Sequence, residues 1–331
     1  MKLINKLLIL FFALLLPSMA FSKDTISLLN VSYDSTRELY QDINRMFSKE
    51  WEANYNQTIQ IRQSHGGSSK QARSVIEVLP ADVVTLATAY DVDMIALKGL
   101  INDNWLSELP NNSSPYRSTI VFLVRKNSQK HIKDWDDLVK DDITIITSNP
   151  KTSGGARWNY LAAWVYALNK FNGNETEALE FIKKLYKNVP ILDLSARASS
   201  MSFVHRNIGD VLIAWENEAL LITNHLAKNR FDIVIPSITI QIDLPVAIVN
   251  KVTIKHNTTA VAKAYLEFLY TDIAQEIIAK NYYRPANKEI LSKYTHYFPK
   301  INAVTIGTLG GWKAVFNKHF SNKAFFDQIY K

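Results

Sequence analysis

The chain of 331 residues contains no cysteine. This absence excludes structural disulfides, thiolate metal sites, cysteine nucleophiles and lipid attachment through cysteine. Glycine and proline are sparse, at 10 residues each, while 47% of the residues are apolar and 21% are charged. Such a composition is typical of a globular protein and not of a collagen-like, low-complexity or disordered chain. Because single cores stop growing near ~250–300 residues, the length predicts two domains.

Motifs that carry catalysis are missing as well. The seven histidines are scattered, with no HExxH pair and no cluster with carboxylates that suggests a metal site. There is no GxSxG elbow, no GxGxxG after a strand and no GxxxxGK(S/T) loop. Ser64-His65 could supply a nucleophile and its base, or could be a loop serine beside a structural histidine. We therefore predict a protein that is not an enzyme and that holds no metal and no cofactor.

The charge of the chain also narrows the choice of partner. The net charge is +7, a modest excess for this length, and no block rich in lysine and arginine is present. A nucleic-acid-binding protein usually concentrates its positive charge on one face or arm. The sequence therefore predicts no nucleic-acid partner.

Residues 1–22 have the pattern of a signal peptide. Two lysines precede the unbroken apolar run Leu7–Leu16, and small residues then fit cleavage after Ala20 or after Ser22. The run of about ten apolar residues is too short to span a bilayer, which takes ~20. We predict that the segment is removed and that the mature protein is soluble and exported.

After this segment, apolar β-rich runs alternate with helical patterns. The runs predicted as strands are Thr25–Ser32, Ile59–Ser64, Ala81–Leu86, Thr119–Arg125, Ile143–Thr147, Val189–Leu192, Val211–Trp215, Phe231–Ile235 and Val246–Val249. The segments predicted as helices are Asp34–Asn54, Ser68–Val78, Gly154–Asn169, Glu175–Lys187, Ser200–Arg206, Thr258–Tyr270 and Ile273–Lys280. This order predicts an α/β fold with parallel sheets covered by helices on both faces.

The two βα series predict one domain inserted into another. They are separated by the long strand Thr119–Arg125, and a partner strand at Pro245–Val249 follows much later. The expected division is a discontinuous domain I, residues 23–115 plus 240–331, and a domain II, residues 116–239. Two crossings of the chain make a hinge between two doubly wound domains, and the cleft between them is where a ligand binds.

A strand, a turn rich in small or hydroxyl residues and a helix start recur four times. The turns are Val31–Thr36, Ser64–Lys70, Lys151–Arg157 and, more weakly, Asp193–Arg197. Each alone can be an ordinary capped helix start, and Ser35 with Glu38 fits a capping box. Helix N-termini also carry free N–H groups and partial positive charge, so several that converge form an anion site. Four such turns in two predicted domains favour that second interpretation.

Longer motifs surround these turns. They are LLNVSYD (28–34), TREL (36–39), RQSHGGS (62–68), KTSGGARWNYLAAW (151–164), IGDVLIAWENEA (208–219) and NYYRP (281–285). Over essentially the whole mature chain the sequence resembles the periplasmic sulfate-binding proteins of bacterial ABC importers. The resemblance implies the type II periplasmic binding protein fold and sulfate held by hydrogen bonds alone. It also implies a monomer in the periplasm whose partners are membrane permease subunits with their ATPase.

The same resemblance implies ligand contacts residue by residue. The backbone amides implied as donors to sulfate belong to Asp34, Ser68, Gly154, Gly155 and Ala196. The side-chain donors implied are the hydroxyl of Ser153 and the indole N–H of Trp215. The charged residues implied behind the donors are Glu38, His65, Asp91, Arg157 and Arg197. From the residues alone, Trp215 also fits a core aromatic at the end of an apolar strand.

The chain departs from the family pattern at several turn positions. The replacements are Ser69 and Ala198 for glycines, Leu194-Ser195 for Ser-Gly, and Ser35 for proline. Loss of glycine changes the backbone geometry open to the loop around Ala196. Thiosulfate or another tetrahedral oxyanion is therefore the nearest alternative ligand. A secreted enzyme acting on a small sulfated or phosphorylated compound is the distant alternative, and it would depend on His65.

Overall fold

The computed structural model describes residues 25–329, so the predicted signal peptide lies outside the described residues. The strands are β1 Thr25–Tyr33, β2 Thr58–Gly66, β3 Val83–Thr85, β4 Tyr116–Arg125, β5 Ile145–Ser148, β6 Leu192–Asp193, β7 Val211–Trp215, β8 Phe231–Val234, β9 Thr239–Asp243, β10 Val246–Ile248, β11 Arg284–Pro285 and β12 Ala303–Val304. The helices are α1 Arg37–Tyr55, α2 Ser68–Glu77, α3 Ala89–Ala96, α4 Gly154–Lys170, α5 Glu175–Lys187, α6 Ala196–Val204, α7 Glu216–Leu221, α8 Asn250–His256, α9 Thr259–Phe268, α10 Asp272–Lys280, α11 Lys288–Lys293, α12 Gly311–Val315 and α13 Phe325–Ile329. Within this range, none of the helices combines the length and the apolar character needed to cross a membrane.

The strands form two mixed sheets. In both sheets the first of three successive parallel strands lies between the second and the third, and an antiparallel strand follows beside the third. In the small sheet the order is β2-β1-β3-β10, with the first three strands parallel and β10 antiparallel to β3. In the large sheet β6, β5 and β7 are parallel, and β4 is antiparallel to β7. β8, β9 and β11 pair with β4, and β12 pairs with β9. The α/β class is confirmed, but the prediction of wholly parallel sheets is wrong, because each sheet includes an antiparallel strand that no βα crossover delivers.

The antiparallel strands β4 and β10 are delivered by the chain as it crosses between the sheets. β4 follows the small-sheet elements and enters the large sheet, and β10 returns to the small sheet after β9. β4 and β9 run side by side, with Arg117 opposite Asp243 and Thr119 opposite Gln241. The strand at Pro245–Val249 was expected to partner β4, and this is wrong. β10 pairs with β3, and β9, which was not predicted, pairs with β4.

Residues 303–329 form a C-terminal segment that returns to the large sheet. β12 pairs with β9, and α13 packs against α5. Trp312 packs edge-on against Trp158 of α4 with ring centroids 4.7 Å apart, and His319 is hydrogen-bonded to the Tyr160 hydroxyl at 3.0 Å. The predicted division assigned this segment to domain I, and its contacts reach elements of both predicted domains, because Phe316 also stacks on Tyr90 of α3 with ring centroids 3.9 Å apart.

α4 is the central helix beside the large sheet. Residues 154–167 are all buried, because α4 packs on β5 and β7 and is also covered by the C-terminal segment. Burial all round explains why the helix lacks the one-sided apolar stripe of a surface helix. The predicted helices Gly154–Asn169 and Glu175–Lys187 and the predicted strand Val211–Trp215 agree with the structure to within one residue.

Candidate functional site

Four helix N-termini lie at the carboxyl ends of parallel strands. β1 leads into Asp34 in a short 3-10 turn before α1, and β2 leads into Ser68 at the start of α2. In the large sheet, β5 precedes Gly154 of α4 and β6 precedes Ala196 of α6. The N–H groups of a first helical turn lack an intrahelical acceptor and lie at the positive end of the helix dipole. Each sheet therefore presents two sets of donors at the edge where ligands of doubly wound folds bind.

The turns from the two sheets are in contact with each other. A β-carbon on Gly67 would lie 2.8 Å from the carbonyl oxygen of Thr152 and 3.3 Å from that of Leu194. A β-carbon on Gly154 would lie 3.0 Å from the β-carbon of Ser68. Glycine is required at these positions because any side chain would keep the two sheets apart. The structure thus brings together residues predicted from four separate turns and shows the cleft closed.

Ser68, Asp91 and Arg157 form a buried network across this contact. The Ser68 hydroxyl donates to Asp91 Oδ2 at 2.6 Å and accepts from the Ala87 N–H at 3.0 Å. Arg157 donates from Nη1 to Asp91 Oδ1 at 3.1 Å and from Nε to the Pro150 carbonyl at 3.0 Å. Removing one partner of a buried ion pair leaves the other charge unpaired, at a cost of ~3–5 kcal/mol. The network therefore fixes the N-termini of α2 and α4 relative to each other.

Arg197, in the first turn of α6, reaches across to the residues that follow β1. Its N–H donates to Asp34 Oδ2 at 3.2 Å, and Nη1 and Nη2 each donate to one carboxylate oxygen of Glu38 at 2.9 Å. Burial raises the pKa of Asp34. Burial also acts to raise the pKa of Glu38, but the hydrogen bonds and charge of Arg197 outweigh it, and the net shift is downward. This bidentate pair is a second link that closes the cleft.

Ser153 and Trp215 are buried donors beside the start of α4. Ser153 is the N-cap of α4: its Oγ accepts from the Ala156 N–H at 3.3 Å and from the Ser148 hydroxyl at 3.4 Å. Both bonds use the oxygen, so the hydroxyl proton of Ser153 is left for another acceptor. Trp215 ends β7, and its Nε1 donates to the Gly155 carbonyl at 3.3 Å. Ser153 and Trp215 therefore lie at the same helix N-terminus as Gly154 and Gly155, and the single indole N–H is engaged by the Gly155 carbonyl, so a bound ion would have to compete for it.

Tyr33 lies in the same place and was not among the predicted residues. Its ring packs on Trp215 with centroids 4.9 Å apart, and its hydroxyl would overlap a β-carbon placed on Gly155. The side chain is fully buried, and its hydroxyl has no hydrogen bond to the residues that the structure describes. Buried hydroxyls are seldom unpartnered, so we include Tyr33 in the candidate site. Its position at the end of β1, beside Asp34, was the available sequence signal.

α6 begins at Ala196, about one turn earlier than predicted. Ser195 is its N-cap, and the Ser195 Oγ accepts from the Ala198 N–H at 3.4 Å. The small residues that open this helix have no apolar period, which is why the sequence pattern placed it near Ser200–Arg206. The Ala196 amide is therefore a first-turn amide even though the glycines usual in this loop are replaced. Leu194, just before the N-cap, is 72% exposed at the rim of the contact.

His65 does not form the pair with Ser64 that nucleophilic catalysis would need. The Ser64 hydroxyl instead accepts from the Gln71 side-chain amide at 2.9 Å. Burial, together with the charge of Arg37, lowers the pKa of His65 to about 4, so its ring is neutral at neutral pH. Across residues 25–329, no group of three His, Asp or Glu side chains is arranged to hold a metal ion. The nucleophile–base interpretation of Ser64-His65 is not supported by this geometry.

Comparison with known proteins connects this geometry with a family. The sequence profile of the bacterial extracellular solute-binding proteins matches residues 28–284. The chain belongs to this family. A sulfate-binding protein of Salmonella typhimurium is 55% identical to it over 321 residues, covering 97% of this chain and 98% of the relative. A thiosulfate-binding protein of Pseudomonas aeruginosa is 48% identical, covering 92% of each chain.

A solved structure of another solute-binding protein agrees with the fold. The sulfate-binding protein SubI from Mycobacterium tuberculosis superposes with a TM-score of 0.82 at 29% identity, covering 89% of this chain and 100% of that one. The resemblance to sulfate-binding proteins and the type II periplasmic binding protein fold are therefore confirmed. The names of these relatives describe binding of a solute and not a catalysed reaction.

Proposed function

We propose that the mature protein captures sulfate in the cleft between its two sheets and delivers it to an ABC importer. The observation that carries this proposal is the convergence of four helix N-termini, two from each sheet, beside the buried donors Ser153 and Trp215. The name of the relative from Salmonella typhimurium supports sulfate as the ligand. The proposed contacts are the amides of Asp34, Ser68, Gly154, Gly155 and Ala196, the Ser153 hydroxyl and the Trp215 indole N–H.

The chemistry of sulfate suits a site built from donors. Near neutral pH sulfate is a full dianion, so its oxygens accept hydrogen bonds and donate none. Hydrogen phosphate carries an O–H that needs an acceptor, and an unmade buried hydrogen bond costs ~1–3 kcal/mol. Because the proposed contacts are all donors, we expect the site to discriminate against phosphate. Oδ2 of Asp34 already accepts from the Arg197 N–H, whereas Oδ1 is buried without a hydrogen bond to the described residues, so the phosphate titration also tests whether Oδ1 can serve as an acceptor.

Charge compensation for the dianion comes from local dipoles. The first-turn amides carry partial positive charge and point toward the ligand. Arg157 and Arg197 stand behind these amides and are engaged by Asp91 and Glu38, so they polarise the donors without contacting the ion. His65 is neutral at neutral pH and adds no charge. The ion is thus held by hydrogen bonds and not by a salt bridge.

Closure of the cleft couples binding to delivery. We propose that residues 23–115 with 240–331 move as one body and that residues 116–239 move as the other. The C-terminal segment contacts both, through Phe316 on Tyr90 of α3 and through Trp312 on Trp158 of α4. A ligand that bridges both sets of amides binds the closed state better than the open one, and so shifts the population toward closure. The closed protein then presents a surface from both bodies to the permease subunits, whose ATPase powers uptake.

The proposed place of action is the periplasm. Residues 1–22 have the pattern of a cleaved export signal, and relatives of this family are extracellular by description. A single chain supplies both halves of the cleft, so we propose a monomer.

Thiosulfate is the second candidate ligand. It is favoured by the 48% identical relative that is named for thiosulfate and by the replaced glycines around Ala196. Thiosulfate is also a tetrahedral dianion without a proton, so the same donors suit it. Its sulfur–sulfur bond is longer than a sulfur–oxygen bond, so its binding depends on the space that the loop around Ala196 leaves.

Isothermal titration of the mature protein, freed of bound ligand, tests the proposal. Sulfate, thiosulfate and phosphate are titrated separately at neutral pH. We expect tight one-to-one binding of sulfate and no measurable binding of phosphate. A clear preference for thiosulfate would keep the architecture and assign the difference to residues 194–198. No binding of any of the three anions would overturn the proposal.

A further inference from the structure

Glu218 is a buried carboxylate that the proposed sulfate contacts do not use. It is the third residue of α7, directly after β7, and its side chain is 2% exposed. Its Oε1 lies 3.0 Å from Nε of Arg197 as an ion pair, without the geometry of a hydrogen bond. With Asn159 and Ser199 it lines a cavity of about 10 Å³ beneath Ala196. Buried carboxylates are kept where a partner compensates their charge, and here that partner is Arg197.

Arg197 is held between carboxylates on opposite sides of the cleft. Its Nη1 and Nη2 donate to Glu38 of α1, whereas its Nε lies beside Glu218 of α7 as an ion pair. α1 packs on the small sheet, while α6 and α7 both pack on the large sheet. Opening of the cleft therefore separates Arg197 from Glu38 and leaves it beside Glu218.

The electrostatics agree with this geometry. Burial acts to lower the pKa of Arg197, but the charge of Glu218 and then the hydrogen bonds and charge of Glu38 raise it above its ordinary value. Burial raises the pKa of Glu218, and the charge of Arg197 opposes that rise. The charge of Arg197 is thus stabilised by Glu218 and Glu38 together, and Arg197 in turn favours the charged form of Glu218 against the effect of burial.

We propose that Glu218 is a positioning residue for closure of the cleft. It orients Arg197 in the open protein so that the Nη1 and Nη2 groups of Arg197 meet Glu38 when the cleft closes. The inference rests on the proposed function, because closure is driven by the ligand. A free arginine side chain has large rotamer freedom, and orienting it beforehand reduces the entropy lost when the closed pair forms.

A double-mutant cycle tests this role. The dissociation constant for sulfate and the dissociation rate are measured for wild type, Glu218→Gln, Glu38→Gln and the double variant. If Glu218 acts through the Arg197–Glu38 pair, Glu218→Gln weakens sulfate binding about tenfold, mainly through faster dissociation. Once Glu38 is replaced, adding Glu218→Gln changes affinity less than about twofold, because the pair that it serves is gone.

Glu216→Gln is the matched control. Glu216 is in the same turn of α7 and is 3% exposed, but it pairs with Arg284, with bonds of 2.7 Å from Nε and Nη2. We expect this variant to lower the melting temperature and to leave sulfate affinity unchanged. Glu218→Asp, which keeps the charge, is expected to recover part of the lost affinity.

The outcomes separate the two proposals. Two results would show that the positioning role is wrong while wild type still binds sulfate and the proposed function stands. In the first, the fold-changes in dissociation constant of Glu218→Gln and Glu38→Gln multiply in the double variant. In the second, Glu218→Gln binds sulfate like wild type. If wild type binds none of the oxyanions, the proposed function fails and this inference fails with it.

Discussion

Gly155 of α4 and Tyr33 at the end of β1 approach each other so closely that no side chain fits between them. A β-carbon on Gly155 would overlap the Tyr33 hydroxyl and would lie 3.4 Å from Nε1 of Trp215. The contact joins a helix start on the large sheet to a strand end on the small sheet. The Gly155–Tyr33 contact therefore forms only when the two sides of the cleft meet completely.

Gly155→Ala is expected to weaken sulfate binding by ~1–3 kcal/mol, the range for overpacking of a filled site. The added methyl group keeps Tyr33 and α4 apart in the closed form, whereas the open form has room for it. Titration with sulfate measures the loss. Gly307→Ala is the control, because its β-carbon would meet nothing nearer than the Thr305 hydroxyl at 3.5 Å. Equal affinities of the two variants would mean that the contact is not formed in the bound protein.

Ser153→Ala removes both an N-cap and a proposed ligand donor. Loss of the cap costs about 1 kcal/mol of the free energy of unfolding. Loss of the donor costs a further ~1–3 kcal/mol of sulfate binding. Asn174→Ala separates the two effects, because Asn174 caps α5 through bonds to the Thr176 and Glu177 amides, away from the cleft. We expect it to lower stability similarly and to bind sulfate like wild type; if both variants bind like wild type, Ser153 does not contact the ion.

Trp215→Phe tests the indole donor. The variant keeps an aromatic ring against Tyr33 and loses Nε1, so binding should weaken by ~1–3 kcal/mol while the protein remains folded. Trp135→Phe is the control, since its fully buried Nε1 donates to the Ile238 carbonyl at 3.0 Å. Loss of folding together with binding in Trp215→Phe would instead assign Trp215 to the core alone.

His319 is expected to make the protein less stable in mild acid. Burial, with a smaller contribution from Lys318, lowers the pKa of His319 to about 3. Below pH ~6.5 the histidine of the unfolded chain binds a proton, whereas His319 of the folded protein remains neutral. Protonation therefore stabilises the unfolded state, and the free energy of unfolding falls as pH decreases. The loss from this group between pH 7 and pH 5 is about 2 kcal/mol.

Denaturant unfolding at both pH values measures this loss. His319→Gln should show a stability less dependent on pH than that of wild type. His205→Gln, at an exposed position, should retain the full dependence. An identical pH dependence in His319→Gln and wild type would contradict the assignment.

Much of the site was open to prediction because its signals are local. The helix starts at Ser68 and Gly154 follow apolar strands and carry small residues, and both are where the pattern indicated. β7 is a continuous apolar run, and Val211–Trp215 matches its prediction at both ends. These features depend on neighbouring residues, which a single sequence displays.

The errors arose where distant residues decide the outcome. Ser35 and Glu38 fit a capping box, but Tyr33 and Thr36, which precede the first helical turns, make no side-chain cap bond, and Glu38 binds Arg197 instead. A charge-assisted bidentate pair is stronger than a capping bond, and no local pattern shows it. β9 and the C-terminal segment were missed for the same reason, since their partners lie far away in the chain.

The position of the C-terminal segment also sets an order of assembly. Trp312, His319 and Phe326 complete the packing around α4 and α5, yet they are synthesised well after those helices. The small sheet similarly waits for β10, which follows the entire large-sheet series. A chain that emerges from its N-terminus therefore has two unfinished halves until β10 and residues 303–329 have been synthesised.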